Sequence, residues 1–241
     1  MTRFLFEAFF QVIPVLFFAL FLVKGRTKDN YFRIFSFALI YVFYQIALVL
    51  PKLSENLNFI GGGWNWDGKI YGILFGVICY FFFRKHLGEN DFFTFRQDKK
   101  NFKKALAAAV ASVLAVAAVA YLTGSSEFSA ETLAFQLTMP AIDEEIMFRG
   151  VLLGLLMSGL RKKIVFWGSP ALWLTAILFG LMHALTLDKN FSVGFEPIYF
   201  LHTGFGGLIF GWIALKSRSI LLPVLAHGFA NFFAALVTMI Q

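Results

Sequence analysis

The chain has 241 residues, of which 59% are hydrophobic and 15% are charged, with a mean hydropathy of +0.74. Soluble domains are nearer half apolar and a quarter charged, so this composition excludes a soluble enzyme, a disordered chain and a nucleic-acid-binding domain, and it indicates a polytopic membrane protein. The single cysteine, Cys79, excludes an intrachain disulfide and a cysteine-based metal cluster.

Eight stretches of the chain are apolar enough to be membrane-spanning helices, which need about 20 residues. Apolar residues come in unbroken runs without the alternation that is typical of strands, so no strands are predicted. We therefore expect an all-α polytopic helical bundle of about eight transmembrane helices, in a single membrane domain over residues 1–241. The predicted spans are Phe4–Val23, Tyr31–Leu50, Ile70–Phe83 (short), Ala105–Thr123, Thr132–Ser158, Ile164–Ala184, Pro197–Leu215 and Ile220–Ile240.

The net charge of +7 is unevenly distributed over the loops between these spans. If the loop after the first span faces the cytoplasm, most of the 21 Lys and Arg residues lie on that inside face, and the positive-inside rule places both termini on the trans side. The basic loop Arg84–Lys104 is expected to lie on anionic membrane lipid. We expect a multi-pass protein of a cell inner or plasma membrane, or of the endoplasmic reticulum in a eukaryote. The inside basic residues are Lys24, Arg26, Lys28, Arg33, Arg84, Lys85, Arg96, Lys99, Lys100, Lys103, Lys104, Arg161, Lys162, Lys163, Lys216 and Arg218, and the trans ones are Arg3, Lys52, Lys69 and Lys189.

The fifth span contains four ionisable residues that a lipid-exposed helix would not tolerate: Asp143, Glu144, Glu145 and Arg149. Each costs about 2.5–3.5 kcal/mol near the bilayer centre, so intramembrane charges mark a functional site by default. The four-residue spacing allows Arg149 to pair with Glu145. Glu144 lies about 140° around the helix from Arg149 and stays free as a candidate general base. The alternative is a salt-bridge network that only fixes packing.

Two further polar motifs lie on later spans. Phe179 and His183 have the spacing F-x-x-x-H, and His227 and Asn231 have the spacing H-x-x-x-N on one helix face. The second pair can donate two hydrogen bonds to a developing oxyanion. The alternative for each histidine is a hydrogen bond that serves packing alone. His202, beside a glycine-rich helix face, is interpreted as structural.

Three motifs in this order, at residues 144–149, 179–183 and 227–231, resemble those of the CAAX prenyl endopeptidase and bacteriocin-processing family of intramembrane proteases, also called the abortive-infection family. The glycine-rich segment 205–211 also looks like a motif of that family. The resemblance covers about residues 131–241 as the protease core, and the helices of residues 1–130 match only in being apolar.

The resemblance implies an intramembrane glutamate-dependent endopeptidase that needs no nucleophilic serine or cysteine and no cofactor or metal. Glu144 would activate a water, His183 would help to hold it, and His227 with Asn231 would form the oxyanion hole. Arg149 would brace Glu145. The implied partner is a peptide or protein substrate, prenylated or membrane-bound, and no nucleic acid.

Two other functions fit the same residues. Two histidines and a glutamate would suit zinc, although the chain has no H-E-x-x-H motif and Asn231 is a poor zinc ligand. Intramembrane acids and histidines also build proton relays, which would make the protein a transporter, or a non-catalytic scaffold or immunity protein.

The depths of the three motifs do not coincide if the helices are straight. His183 then falls near the trans end of its span, Glu144 near mid-span, and His227 toward the inner end of its span. Broken or tilted helices would remove the mismatch, as would a sixth span that begins near Ser169 and runs into Thr186–Asn190. A different topology of the second half is the third possibility.

Overall fold

The computed structural model describes residues 2–162 and 168–241, and within them the chain is a bundle of helices. A continuous helical rod runs from Ala130 to Gly159 and consists of two α-helices, Ala130–Glu145 and Leu153–Gly159, joined by a π-helical turn at Ile146–Leu152. The predicted all-α membrane bundle of about eight helices is confirmed. The helices are α1 (Thr2–Phe21), α2 (Lys28–Leu53), α3 (Trp66–Leu87), α4 (Phe102–Thr123), α5 (Ala130–Glu145), α6 (Leu153–Gly159), α7 (Pro170–Ala184), α8 (Pro197–Ser217) and α9 (Leu221–Met239).

In the described residues, six helices are long and apolar enough to cross a membrane: α1, α2, α3, α4, α8 and α9. The rod is long but carries the intramembrane charges, and α7 has only 15 residues. The predicted start of the sixth span, Ile164, and the basic residue Lys163 lie outside the described residues.

The third span is longer than its apolar run predicted. Asn65 caps α3, because its side chain accepts a hydrogen bond from the Gly68 N–H. At the other end, Arg84 and Lys85 lie in the last turn, where positive charge is favourable beside the helix dipole. Polar residues at both ends thus extend the helix.

The start of α1 and the end of α9 lie at one end of the bundle, which we call the terminal end. The Lys52 ammonium at the end of α2 is 5.9 Å from the Phe4 ring centroid in α1. Ser126, just after α4, donates its N–H to the Thr238 carbonyl in α9 at 2.8 Å. The helices therefore alternate in direction, as the predicted spans require.

The prediction that strands are absent is wrong for one short hairpin. Strands β1 (Leu185–Leu187) and β2 (Val193–Phe195) pair in antiparallel register, with Thr186 opposite Gly194. Three residues are too few to give an alternating pattern. The tip places Phe191 at φ 62°, in the left-handed region.

The hairpin also corrects the expected extension of the sixth span. The helix α7 begins at Pro170, close to the expected Ser169, but it ends at Ala184 instead of running into Thr186–Asn190. Gln11 in α1 donates to the Leu185 carbonyl at 2.9 Å. The end of α7 therefore lies at the level of Gln11, well inside the bundle.

Candidate active site

Three consecutive acids end α5 and point in three directions, because successive helix residues are about 100° apart. Asp143 and Glu145 are fully buried, and Glu144 is 4% exposed. The π-helical turn begins at the next residue, and such turns are frequent at functional sites.

Glu145 is held between two helices. Its Oε1 accepts from Arg149 Nη1 at 2.9 Å, the ion pair that the spacing predicts, and from His227 Nδ1 at 2.9 Å. Because a carboxylate only accepts, His227 donates from Nδ1, which leaves Nε2 as its other ring nitrogen. The ring of His227 stacks on Phe210, with centroids 4.8 Å apart.

Arg149 ties this ion pair to α8. Its Nη2 donates to the Gly207 carbonyl at 3.0 Å, and its guanidinium lies 4.8 Å from the Phe179 ring centroid. A Cβ at Gly207 would lie only 3.2 Å from Ala176 Cα, so the glycine permits close packing of α8 on α7. Arg149 therefore braces Glu145 and joins the rod to α7 and α8.

Glu144 has two carboxylate oxygens in different environments. Its Oε1 accepts from Lys69 Nζ at 2.7 Å. Its Oε2 is buried, has no hydrogen-bond partner among the described residues, and lies 3.8 Å from His183 Nε2. That separation is too long for a direct hydrogen bond.

His183 is oriented by its own helix. Its Nδ1 lies 2.7 Å from the Phe179 carbonyl, one turn earlier, and must donate because a carbonyl only accepts. Nε2 is thereby turned toward Glu144. The F-x-x-x-H spacing thus places both the ring and the backbone carbonyl of Phe179 beside His183.

Two residues of this site were missed by the sequence analysis, namely Lys69 and Tyr44. Lys69 Nζ lies 2.9 Å from Asp143 Oδ2, besides its bond to Glu144, and the Tyr44 hydroxyl donates to the same Asp143 oxygen at 2.7 Å. The sequence predicts Lys69 in a trans loop because it directly precedes the apolar run. Its position at the mouth of a predicted span, opposite an unbalanced acid cluster, was the available signal.

The four residues predicted to do chemistry line one cavity of about 740 Å³: Glu144, His183, His227 and Asn231. His202, interpreted as structural, also lines it. The apolar walls come mainly from α4, α8 and α9. The lining apolar residues include Ala115, Val116, Val119, Phe205, Ile209, Ala230 and Ala234.

The short α7 explains why the predicted depths disagreed. His183 is next to the last residue of α7, but α7 ends deep in the bundle and the hairpin continues toward the terminal end. His183 thereby reaches Glu144, which lies near the middle of the rod. The sixth span does begin near Ser169, as one of the expected explanations requires, but it does not extend into Thr186–Asn190.

Within residues 2–162 and 168–241, no group of three or more His, Cys, Asp or Glu side chains could hold a metal ion. The acids instead pair with Lys69 and Arg149, and the histidines with a carbonyl and a carboxylate.

Residues 126–233 match the family model of the Rce1-like type II CAAX prenyl endopeptidases. No curated protein and no solved structure gives a match. The matched segment contains all six predicted site residues, whereas Tyr44 and Lys69 precede it. The match confirms the resemblance and the general prediction of a membrane-embedded peptidase. Over residues 126–233, the chain is thus similar to the Rce1-like type II CAAX prenyl endopeptidases.

Proposed function

We propose that the protein hydrolyses peptide bonds with a water activated by Glu144 inside the membrane. The observation that carries this proposal is the buried Oε2 of Glu144, which has no hydrogen-bond partner among the described residues and lies 3.8 Å from His183 Nε2. Both residues line the cavity, and both atoms accept hydrogen bonds when His183 is neutral. A water that donates one hydrogen to each satisfies both.

The hydrolysis needs only this water and the peptide. Glu144 takes a proton from the water as its oxygen bonds to the carbonyl carbon, and the carbonyl oxygen becomes an oxyanion. The carbon–nitrogen bond then breaks, and Glu144 returns the proton to the leaving amine. Lys69 holds the other carboxylate oxygen at 2.7 Å and so fixes which oxygen acts.

His227 and Asn231 are the proposed oxyanion donors. They are one turn apart on α9 and both line the cavity. Since Nδ1 of His227 already donates to Glu145, Nε2 is the ring nitrogen left for the oxyanion, to which the imidazolium form would donate. Glu145 thus supports the oxyanion site indirectly.

We propose a substrate with an apolar moiety beside its peptide: a prenylated Cys-a-a-X protein, or a hydrophobic leader or membrane segment. The support is the cavity itself, which combines the polar cluster with an apolar wall that runs along α4 and α9. The exposed phenylalanines of the outer helices would face membrane lipid.

The test is a cleavage assay with the purified protein in detergent, with and without a chelator. The peptides are a farnesylated Cys-a-a-X peptide and a set of hydrophobic leader peptides. Glu144→Gln should abolish cleavage while the protein stays folded and inserted, because the amide cannot take a proton from water. Glu127→Gln, an exposed glutamate outside the cavity, is the matched control and should cleave like the wild type.

Each alternative has its own result in this assay. Residual wild-type turnover in Glu144→Gln would overturn the proposed base. Cleavage that is lost on chelation would support the metal-dependent alternative. If the wild type cleaves no peptide of either set, that result would favour a non-catalytic function over hydrolysis.

A further inference from the structure

The hairpin is joined to the candidate active site at both of its ends. β1 begins two residues after His183, and β2 leads through Glu196 into α8. Tyr199 in the first turn of α8 lines the cavity, and its ring lies 6.0 Å from that of His183. The outer edges of the hairpin therefore begin beside the catalytic cluster.

The hydrogen-bond register determines which backbone groups face outward. Glu196 donates to the Ala184 carbonyl at 3.0 Å, and Asp188 donates to the Ser192 carbonyl at 3.1 Å. In an antiparallel pair every second residue bonds inward, so Thr186 and Gly194 form the pair between them. The intervening residues of each strand then present their N–H and C=O groups outward.

The outer edge of β1 is already covered by α1. Gln11 donates to the Leu185 carbonyl at 2.9 Å, and the Glu7 carboxylate accepts from the Leu187 N–H at 2.8 Å. Four helical residues rise about 6 Å, and two strand residues rise about 6.6 Å. The two polar side chains are thus spaced to match the edge.

The outer edge of β2 has no such cover. In the described part of the chain, no hydrogen bond is made by the outward backbone groups of Val193 or Phe195. Their side chains are 55% and 46% exposed. β2 lies beside β1, which is at the depth of Glu7 to Gln11 in α1. This depth is within the first predicted span, where unpaired backbone groups are costly.

We infer that the edge of β2 receives the polypeptide substrate as an extended third strand, with Val193 and Phe195 as its backbone partners. This inference rests on the proposed function, and it names how the same site holds its substrate. A peptide bond in a membrane helix is enclosed by its own hydrogen bonds, so hydrolysis requires an extended segment. That segment needs backbone partners at membrane depth. The edge of β2 provides them on the hairpin that joins the His183 end of α7 to the Tyr199 end of α8.

Backbone-modified substrates test the inference directly. In the farnesylated Cys-a-a-X peptide, with upstream residues extending its N-terminus, each amide is replaced in turn by an ester, which removes one N–H donor. We expect KM to rise about three- to tenfold at alternate positions and to stay unchanged between them, because only every second N–H faces β2. If the change in KM does not depend on the position of the ester, the inference of a third strand is wrong.

Two protein variants test the same edge. Val193→Pro removes an outward N–H and should raise KM with little change in kcat, and the rise should exceed that of Val193→Ala, which shortens the same side chain but keeps the N–H. Since the proline variant risks disturbing the hairpin, disulfide trapping supplies a second measurement. Val193→Cys, in a Cys79→Ala, Glu144→Gln background, should cross-link to peptides with cysteine at positions two residues apart.

The outcomes separate the edge from the chemistry. Cleavage that depends on Glu144 but shows neither the alternation nor the cross-links would overturn the edge alone. Cleavage that does not depend on Glu144 would overturn the proposed mechanism instead. A disulfide between two copies of Val193→Cys, formed in preference to the peptide, would show that a second copy occupies the edge, and it would also overturn the inference.

Discussion

We propose different functions for the acids of the rod because their hydrogen-bond partners differ. Glu145 shares one oxygen between Arg149 and His227, Asp143 lies between Tyr44 and Lys69, and only Glu144 keeps a buried oxygen directed at His183. The i, i+4 spacing predicts the first pair from sequence. No spacing predicts Lys69, since it lies 74 and 75 residues from its two partners.

Lys69→Met should reduce cleavage by about 100-fold or more, because it leaves two adjacent buried carboxylates without their cation and displaces Glu144. Adding Asp143→Asn should restore part of the activity by removing one of the two charges. Turnover rates of both variants, compared with Lys103→Met at an exposed position, measure the effect. No recovery in the double variant would contradict charge balance as the role of Lys69.

Arg149→Ala should lower both stability and activity. Breaking a buried ion pair by removing one partner costs about 3–5 kcal/mol, since the other charge stays buried. Thermal unfolding in detergent, followed beside the cleavage assay, measures both effects. A full melting temperature would contradict the bracing role of Arg149, even if activity were lost.

At the level of elements, close helix packing places the site residues of different helices within reach. A Cβ at Gly228 would collide with the Leu137 carbonyl, so this glycine lets α9 pack against α5 and brings His227 to Glu145. The short α7 and its hairpin do the same for His183. The presence of each helix can be predicted from its apolar run. The end of α7 and the two strands depend on contacts with α1, and no local sequence pattern predicts those contacts.

Gly228→Ala should therefore reduce activity by about tenfold or more and cost about 1–3 kcal/mol of stability, because the methyl group forces α9 away from α5. Gly204→Ala is the matched control, since its Cβ would lie 3.6 Å from the nearest atom, an ordinary contact. Equal effects of the two substitutions on melting temperature and turnover would contradict this account of α9.

For the whole molecule, the sequence predicts the helix count, most boundaries and the six motif residues, because these depend on hydropathy runs and on spacing within one helix. The contributions of α2 and α3 to the site could not be predicted, because they arise only when distant helices pack together. The candidate site therefore draws side chains from both sides of residue 130.

Orientation is a prediction for the whole molecule. The basic loops between α3 and α4 and after α8 lie at the end opposite the termini, and the positive-inside rule places that end in the cytoplasm. In a Cys79→Ala background, Lys189→Cys should react with a membrane-impermeant thiol reagent in intact cells. Lys99→Cys should react only after permeabilisation, and the reverse pattern would invert the bundle.

Because Lys69 contacts Glu144, the candidate site needs helices from both halves of the chain. The loop of residues 124–129 separates two sets of helices: the first supplies the cation and Tyr44, and the second supplies every acid and both site histidines. Two polypeptides made by breaking this loop should each be inert. Catalysis should return when they reassociate in the bilayer, so the protein can be operated as a two-component enzyme.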